Sequence, residues 1–210
     1  MILVGQFDSF PTRRVGITLT HYGIPYTRDT RSIFSDAGEI ARINPLIRIP
    51  ALILDDGEVL IDSSAILDTL DEMAGDRALI PHSGPLRRQI LQATALAQGI
   101  GEKAAAVVYE RYFHPPEHVA QAWEARCIEV TAAGLAELER RAGERWMCGD
   151  GFSHADIMAF CTLGYLRLRL PEVLDGAPIP NLEALEARCA ALPGVLACPI
   201  AASDVMPDRG

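Results

Sequence analysis

Residues 43–72 read INPLIRIPALILDDGEVLIDSSAILDTLDE, and four signals follow one another within them. Asn44-Pro45 stops any helix that precedes it, because proline removes a donor and restricts the residue before it. Arg48-Ile49-Pro50 comes directly before an apolar run. A proline there begins a strand, lies at a sheet edge, or marks a cis bond. Residues 51–54 and 58–61, joined by Asp55-Asp56-Gly57, read as a β-hairpin with an acidic turn. Asp62-Ser63-Ser64 then opens a helix over 63–73, with Ile66, Leu67 and Leu70 on one face and Gly75 after its end. A helix start with hydroxyls and spare N–H groups is a carboxylate site or an ordinary cap.

Upstream, residues 2–7 read as a strand, 11–22 as a helix closed by Gly23, 25–30 as a second strand, and 35–43 as a short helix. The order is strand, helix, strand, helix, hairpin, helix. The first three elements imply a right-handed parallel unit, and the hairpin adds an antiparallel edge to a small mixed sheet. Downstream the texture changes. Residues 79–85, LIPHSGP, have linker chemistry, and beyond them strand signals vanish. Helical patterns run over 86–113, 116–142, 153–170 and 181–191, which describes an all-α domain. The domains read as 1–76 and 86–210, with 77–85 as linker. The tail after Cys198 has little pattern and is expected to be loose.

The chain has 210 residues and a formal net charge of -9, which opposes nucleic-acid binding. Its basic pairs, Arg13-Arg14, Arg87-Arg88 and Arg140-Arg141, read as solvated helix faces. No segment is long and apolar enough to span a membrane, and no basic region precedes the first apolar run as in a cleaved signal. The five cysteines (127, 148, 161, 189 and 198) show no CxxC or Cys/His spacing, so reduced thiols in a cytoplasmic protein without metal are expected. Ser153-His154-Ala155-Asp156 is a capping box with Phe152 placed to staple against Ile157, and Asp156 is expected to serve structure.

Ser9 stands where an apolar run meets a helix start, in Phe7-Asp8-Ser9-Phe10-Pro11-Thr12. No GxSxG elbow surrounds it, so a hydrolase triad has little support. It is either a reactive hydroxyl or a helix cap.

Together, Ser9…Arg13-Arg14-Val15, the stretch 43–72, MCGDGFSHADI at 147–157 and PNLEALEARCAALPGV at 180–195 resemble the cytosolic glutathione S-transferase family over nearly the whole chain. The likeness is to its serine- and cysteine-type, bacterial-like members. It implies a thioredoxin-like α/β N-terminal domain that binds glutathione and an all-α C-terminal domain that helps bind the second substrate. Pro50 would be the cis-proline, and Ile49 would pair its backbone with the cysteinyl part of glutathione. Asp62 and Ser63 would hold the γ-glutamyl end, and Arg48 the glycyl carboxylate. Ser9 matches the catalytic position: its hydroxyl would donate to the glutathione sulfur and, with the positive end of the following helix, favour thiolate. A free thiol has a pKa of about 8.5, and lowering it by two units takes about 2.7 kcal/mol. A charge-assisted hydrogen bond and a helix dipole are of that size. A serine there favours conjugation over disulfide exchange, because a hydroxyl forms no mixed disulfide.

Phe10, Tyr109, Tyr112 and Phe113 would line a pocket for a small hydrophobic electrophile, or else serve as core or interface. The resemblance also implies detoxification, a homodimer, glutathione as co-substrate, and no metal, nucleic-acid or membrane partner. The chain departs from the family in three places. It has Ser9-Phe10-Pro11 for Ser-Pro-Phe, which leaves Thr12 as a second candidate hydroxyl; Leu46-Ile47 where a glycine is usual; and no Ser-Ser-Cys motif of the isomerase type. The alternatives are a non-catalytic glutathione- or protein-binding module, or a glutathione-dependent dehalogenase, reductase or isomerase.

Overall fold

In the computed structural model of the chain, which describes residues 1–205, Leu3 and Val4 are wholly buried on strand β1 (Ile2–Val4). Helix α1 (Phe10–Tyr22) follows, and strand β2 (Thr27–Asp29) pairs with β1 in parallel. After the single turn of α2 (Ala37–Ile40), strands β3 (Ala51–Ile53) and β4 (Val59–Ile61) form the expected hairpin. β3 lies antiparallel to β1, with Leu3 opposite Leu52, giving the sheet order β2-β1-β3-β4. Helix α3 (Ser63–Ala74) then buries Ile66, Leu67 and Leu70, the face read from the sequence. This is the thioredoxin-like arrangement.

The first strand stops three residues short of its expected end. Gly5 turns the chain at φ +129°, and a Cβ there would lie 2.8 Å from Thr12 Oγ1 and 2.9 Å from Ile49 Cβ. Only glycine fits both the backbone and the space. Gly5→Ala is expected to cost about 2 kcal/mol, measured by urea unfolding, because strain and overpacking add.

The second helix is shorter than the pattern over 35–43 suggests. Asn44 does more than end it. Its buried amide donates to the Arg48 carbonyl at 2.9 Å and accepts from Leu46 N at 3.1 Å, which shapes the loop before Pro50.

The chain divides into two units. Among the described residues, the first is 1–79 together with 190–205, and the second is 80–189. The C-terminal stretch, expected to be loose after Cys198 and to belong with the helical domain, therefore returns to the sheet as far as residue 205; residues 206–210 lie outside the described residues. Its one-turn helices α8 (Pro193–Leu196) and Ala202–Asp204 are held there by side chains from the first unit. Arg13 Nε donates to the Cys198 carbonyl at 3.0 Å, and Arg28 pairs with Asp204 at 2.6 Å. Sequence periodicity carries no record of such distant partners.

The second unit is helical: α4 (Pro85–Phe113), α5 (Gln121–Arg141), α6 (His154–Arg169) and most of α7 (Pro180–Ala190). α4 packs against both α5 and α6, and α6 is buried along most of its length. α5 begins five residues later than the pattern suggests, because Pro116–His118 forms a separate 3-10 turn. Asp156 is fully buried and accepts from Ser153 N at 2.8 Å, Ser153 Oγ at 2.8 Å and Met147 N at 2.7 Å. Burial pushes its carboxyl above the usual range, against the pull of those bonds. Phe152 meets Trp146 edge-on, with ring centroids 5.2 Å apart. At the far end of α5, the Glu139 carboxylate accepts from Asn181 N and Leu182 N, satisfying open donors in the first turn of α7.

Candidate functional site

Everything that follows in the first unit hangs on the junction of β1 and α1. The chain leaves β1 at Gly5, makes a turn closed by Ser9 N donating to the Gln6 carbonyl at 3.3 Å, and enters α1 with Ser9 as N-cap. Pro11 falls at the second helical position, in the first turn, where its missing donor costs nothing. The Ser-Phe-Pro order therefore leaves Ser9 at the cap. Ser9 is half-buried, and behind it Thr12 is fully buried. The Thr12 hydroxyl donates to Ser9 Oγ at 3.1 Å, and Thr12 N approaches the same oxygen at 3.5 Å. Ser9 Oγ thus accepts from within the fold, and its own proton is left to donate outward.

Ile49–Pro50 is cis, with Pro50 buried and Ile49 half-buried. Gly5 brings this loop and Thr12 against one another, since both crowd the space in which a Gly5 side chain would stand. Arg48 is exposed on the same loop.

At α3, Asp62 is the N-cap, with φ +65°, and its Oδ1 accepts from Ser64 N at 2.8 Å. Ser63 is buried. Its hydroxyl accepts from Arg14 Nη2 at 2.6 Å, and the same nitrogen reaches Ser64 Oγ at 3.0 Å. Arg14 is only 1 % exposed. The pair Arg13-Arg14 is thus not the solvated face it was read as: Arg14 lies under the α3 N-terminus, and Arg13 holds the tail. A guanidinium buried beneath a helix N-terminus adds its charge to the dipole and makes that end more attractive to a carboxylate. The signal was present in the sequence. Arg14 stands four residues after Phe10 and three before Ile17, on the buried stripe of α1.

The aromatic candidates separate. Phe10 belongs to the first unit and is 5 % exposed. Tyr109, Tyr112 and Phe113 end α4 in the second unit, where Phe113 meets Tyr109 and Tyr112 edge-on at 5.9 and 5.1 Å. Tyr109 is 42 % and Phe113 55 % exposed, so this cluster offers apolar surface.

A family profile described as the glutathione S-transferase N-terminal domain matches residues 11–73, and one for the C-terminal domain matches residues 121–197. Maleylacetoacetate isomerase of Pseudomonas aeruginosa is 31% identical over 85% of this chain and 86% of its own length. The chain belongs to the glutathione S-transferase family. It is accordingly an enzyme of the glutathione-transferase type. A glutathione S-transferase of Methylobacterium radiotolerans, solved in complex with glutathione sulfonate, superposes with a TM-score of 0.90 at 31% identity, covering 100% of this chain and 98% of that one. A second, from Methylobacillus flagellatus with glutathione bound, gives 0.87 at 28% identity, covering 94% and 98%.

In this transferase Cys198 lies in the first unit, its carbonyl accepting from Arg13 Nε, and the other four cysteines lie in the second. Four of the five are buried and Cys148 is half-buried. Burial pushes Cys189 up to about 12 and raises Cys148 as well, so both are thiols at neutral pH. Iodoacetamide at pH 8 is expected to label native protein slowly and at Cys148 first, and all five sites once it is unfolded, as read by mass spectrometry. Among the described residues no three or more His, Cys, Asp or Glu side chains gather as a metal would require. No helix there is long and apolar enough to cross a membrane.

Proposed function

We propose that this glutathione S-transferase activates the glutathione thiol at Ser9 for attack on a hydrophobic electrophile. The observation that carries the reading is the bond from Thr12 to Ser9 Oγ. It favours a Ser9 proton aimed away from the fold, where a hydrogen bond to sulfur favours thiolate over thiol. Thr12, buried behind, tunes Ser9 rather than replacing it. The thiolate sulfur bonds to the electrophilic carbon. In a substitution the electron pair of the broken bond leaves with the departing group; in an addition the π pair of an activated double bond moves to its far atom, which then takes a proton from water.

Glutathione is placed by the groups around that hydroxyl. The Ile49 backbone beside Pro50 pairs with the cysteinyl unit, Asp62 and Ser63 at the α3 start take the γ-glutamyl end, and Arg48 takes the glycyl carboxylate. Residues 1–76 form the glutathione-binding domain. Tyr109, Tyr112 and Phe113, at the end of α4 in the second unit, supply apolar surface for the second substrate, whereas Phe10, buried in the first unit, offers little. Detoxification in the cytoplasm, without metal, nucleic acid or membrane, fits this chemistry. A homodimer fits the exposed Val59 and Ile61 on edge strand β4 and the exposed Met73 on α3.

The test is the thiolate absorbance of bound glutathione against pH. A midpoint well below about 8.5 supports activation; saturable binding with an unshifted midpoint would reduce the protein to a binding module. One comparison favours a second reading, a glutathione-dependent isomerase, because the Pseudomonas aeruginosa relative is named maleylacetoacetate isomerase. Parallel assays with maleylacetoacetate and with a halogenated aromatic electrophile separate the two.

A further inference from the structure

We infer that the returning tail, residues 198–204, sets the position of the Ser9 hydroxyl, with Asp204 and Arg28 as positioning residues. The inference rests on the reading of Ser9 as the thiol-activating group. It starts from a buried charge. Asp204 is 1 % exposed, and a carboxylate so buried is tolerated only when its oxygens are satisfied. One oxygen accepts from Arg28 Nη2 at 2.6 Å, and the other from Ala201 N at 3.0 Å. The same carboxylate therefore shapes its own turn and fastens that turn to β2.

From Arg28 the connection runs directly to the junction. The guanidinium carbon lies 3.6 Å from the centroid of the Phe7 ring, a cation–π contact. The opposite constraint on Phe7 comes from α1, where a Cβ on Gly16 would lie 2.6 Å from the ring. Phe7 is thus confined between Arg28 and α1, two residues before Ser9. Two further bonds bracket the serine. Gln6 Nε2 donates to the Ser203 carbonyl at 3.1 Å, and the Gln6 carbonyl accepts from Ser9 N at 3.3 Å. On the other side, Arg13 Nε donates to the Cys198 carbonyl at 3.0 Å. Gln6, Phe7 and Arg13 flank Ser9, and each leads to the tail.

A hydroxyl that stabilises a thiolate must hold its direction, and a misplacement of about 1 Å can cost on the order of 100-fold in rate. The residues of the junction do not fix it alone; the tail supplies the outer wall. Asp204 and Arg28 touch neither sulfur nor electrophile. They act through Phe7, Gln6 and Ser9.

The decisive variant is Arg28→Gln with Asp204→Asn in the full chain. Both charges go together, so net charge is unchanged and any effect on the thiol reports position rather than field. Three quantities are read: the thiolate midpoint of bound glutathione, the split between kcat and the KM for glutathione, and amide exchange over residues 6–13. The expected result is a midpoint higher by about one pH unit, kcat lower by about tenfold near pH 6.5, KM within about twofold, and faster exchange over 6–13. Asp204→Glu, which keeps the pair, is expected to return the midpoint toward that of the parent protein. A lower melting temperature with an unmoved midpoint and unmoved kcat overturns the inference and leaves the tail a merely structural element. If the parent protein itself shows no depressed midpoint, the Ser9 reading fails. Exchange then decides the rest: release of 6–13 in the double variant supports the hold of the tail on that segment, and unchanged exchange overturns it.

Discussion

Ser9→Ala is expected to lower kcat/KM for conjugation by roughly 100-fold near pH 6.5, the range seen when one preorganised donor to a developing or fixed anion is removed. The bound thiol should then titrate near the free value of about 8.5. The sign of the pH dependence follows. In the parent protein the rate rises with pH until the depressed midpoint and then levels, because the thiolate is fully formed. In Ser9→Ala it keeps rising to about 8.5, so the deficit shrinks as pH rises. A deficit that stays constant across that range would mean that Ser9 acts on something other than thiol ionisation. Binding of glutathione should change little, since the groups proposed for its two ends are untouched.

Arg14→Met is expected to have the opposite kinetic signature and a larger effect on stability. The substitution removes the donor from Ser63 Oγ, which is buried with Arg14, and from Ser64 Oγ, on an exposed residue. Hydrogen bonds to a charged group contribute about 1.5–3 kcal/mol each, so a loss of about 3 kcal/mol is expected in urea unfolding. With Ser63 no longer oriented and the buried charge gone, KM for glutathione should rise by roughly tenfold while kcat at saturation holds. Arg14→Lys keeps the charge but not the forked geometry, and is expected to recover only part of either loss. If KM is unmoved in a folded Arg14→Met protein, the α3 start is not where the γ-glutamyl end binds.

What the sequence revealed was what depends on near neighbours. The acidic turn at Asp55-Asp56-Gly57 marks its own hairpin, because turn residues act within four positions. Asp62 and Ser9 announce helix starts for the same reason: a cap bonds to backbone two or three residues on. Ile66, Leu67 and Leu70 declare a buried face by spacing alone. Arg14 was hidden differently. Its spacing placed it inside, but its charge argued for solvent, and only the two serines forty-nine and fifty residues away resolve the conflict. Gly5 gives no sign, in one sequence, of the two side chains that crowd it. Asp204 lies farthest from legibility, since neither Arg28 nor Phe7 can be matched to it by period or motif.

The return of residues 198–204 to the sheet also bears on how this polypeptide is made. Gln6 and Ser203 are 197 positions apart, and Arg28 and Asp204 are 176 apart. During synthesis the sheet and its first helices leave the ribosome long before those partners exist, so the unit that carries Ser9 must wait for nearly the whole chain before its outer wall can close. Such distant pairings slow folding. They also mean that a fragment ending at Leu79 would expose Phe7, Arg28 and Gln6 where the tail should lie. Splitting the gene at the obvious seam would separate the nucleophile-activating loop from part of its own unit.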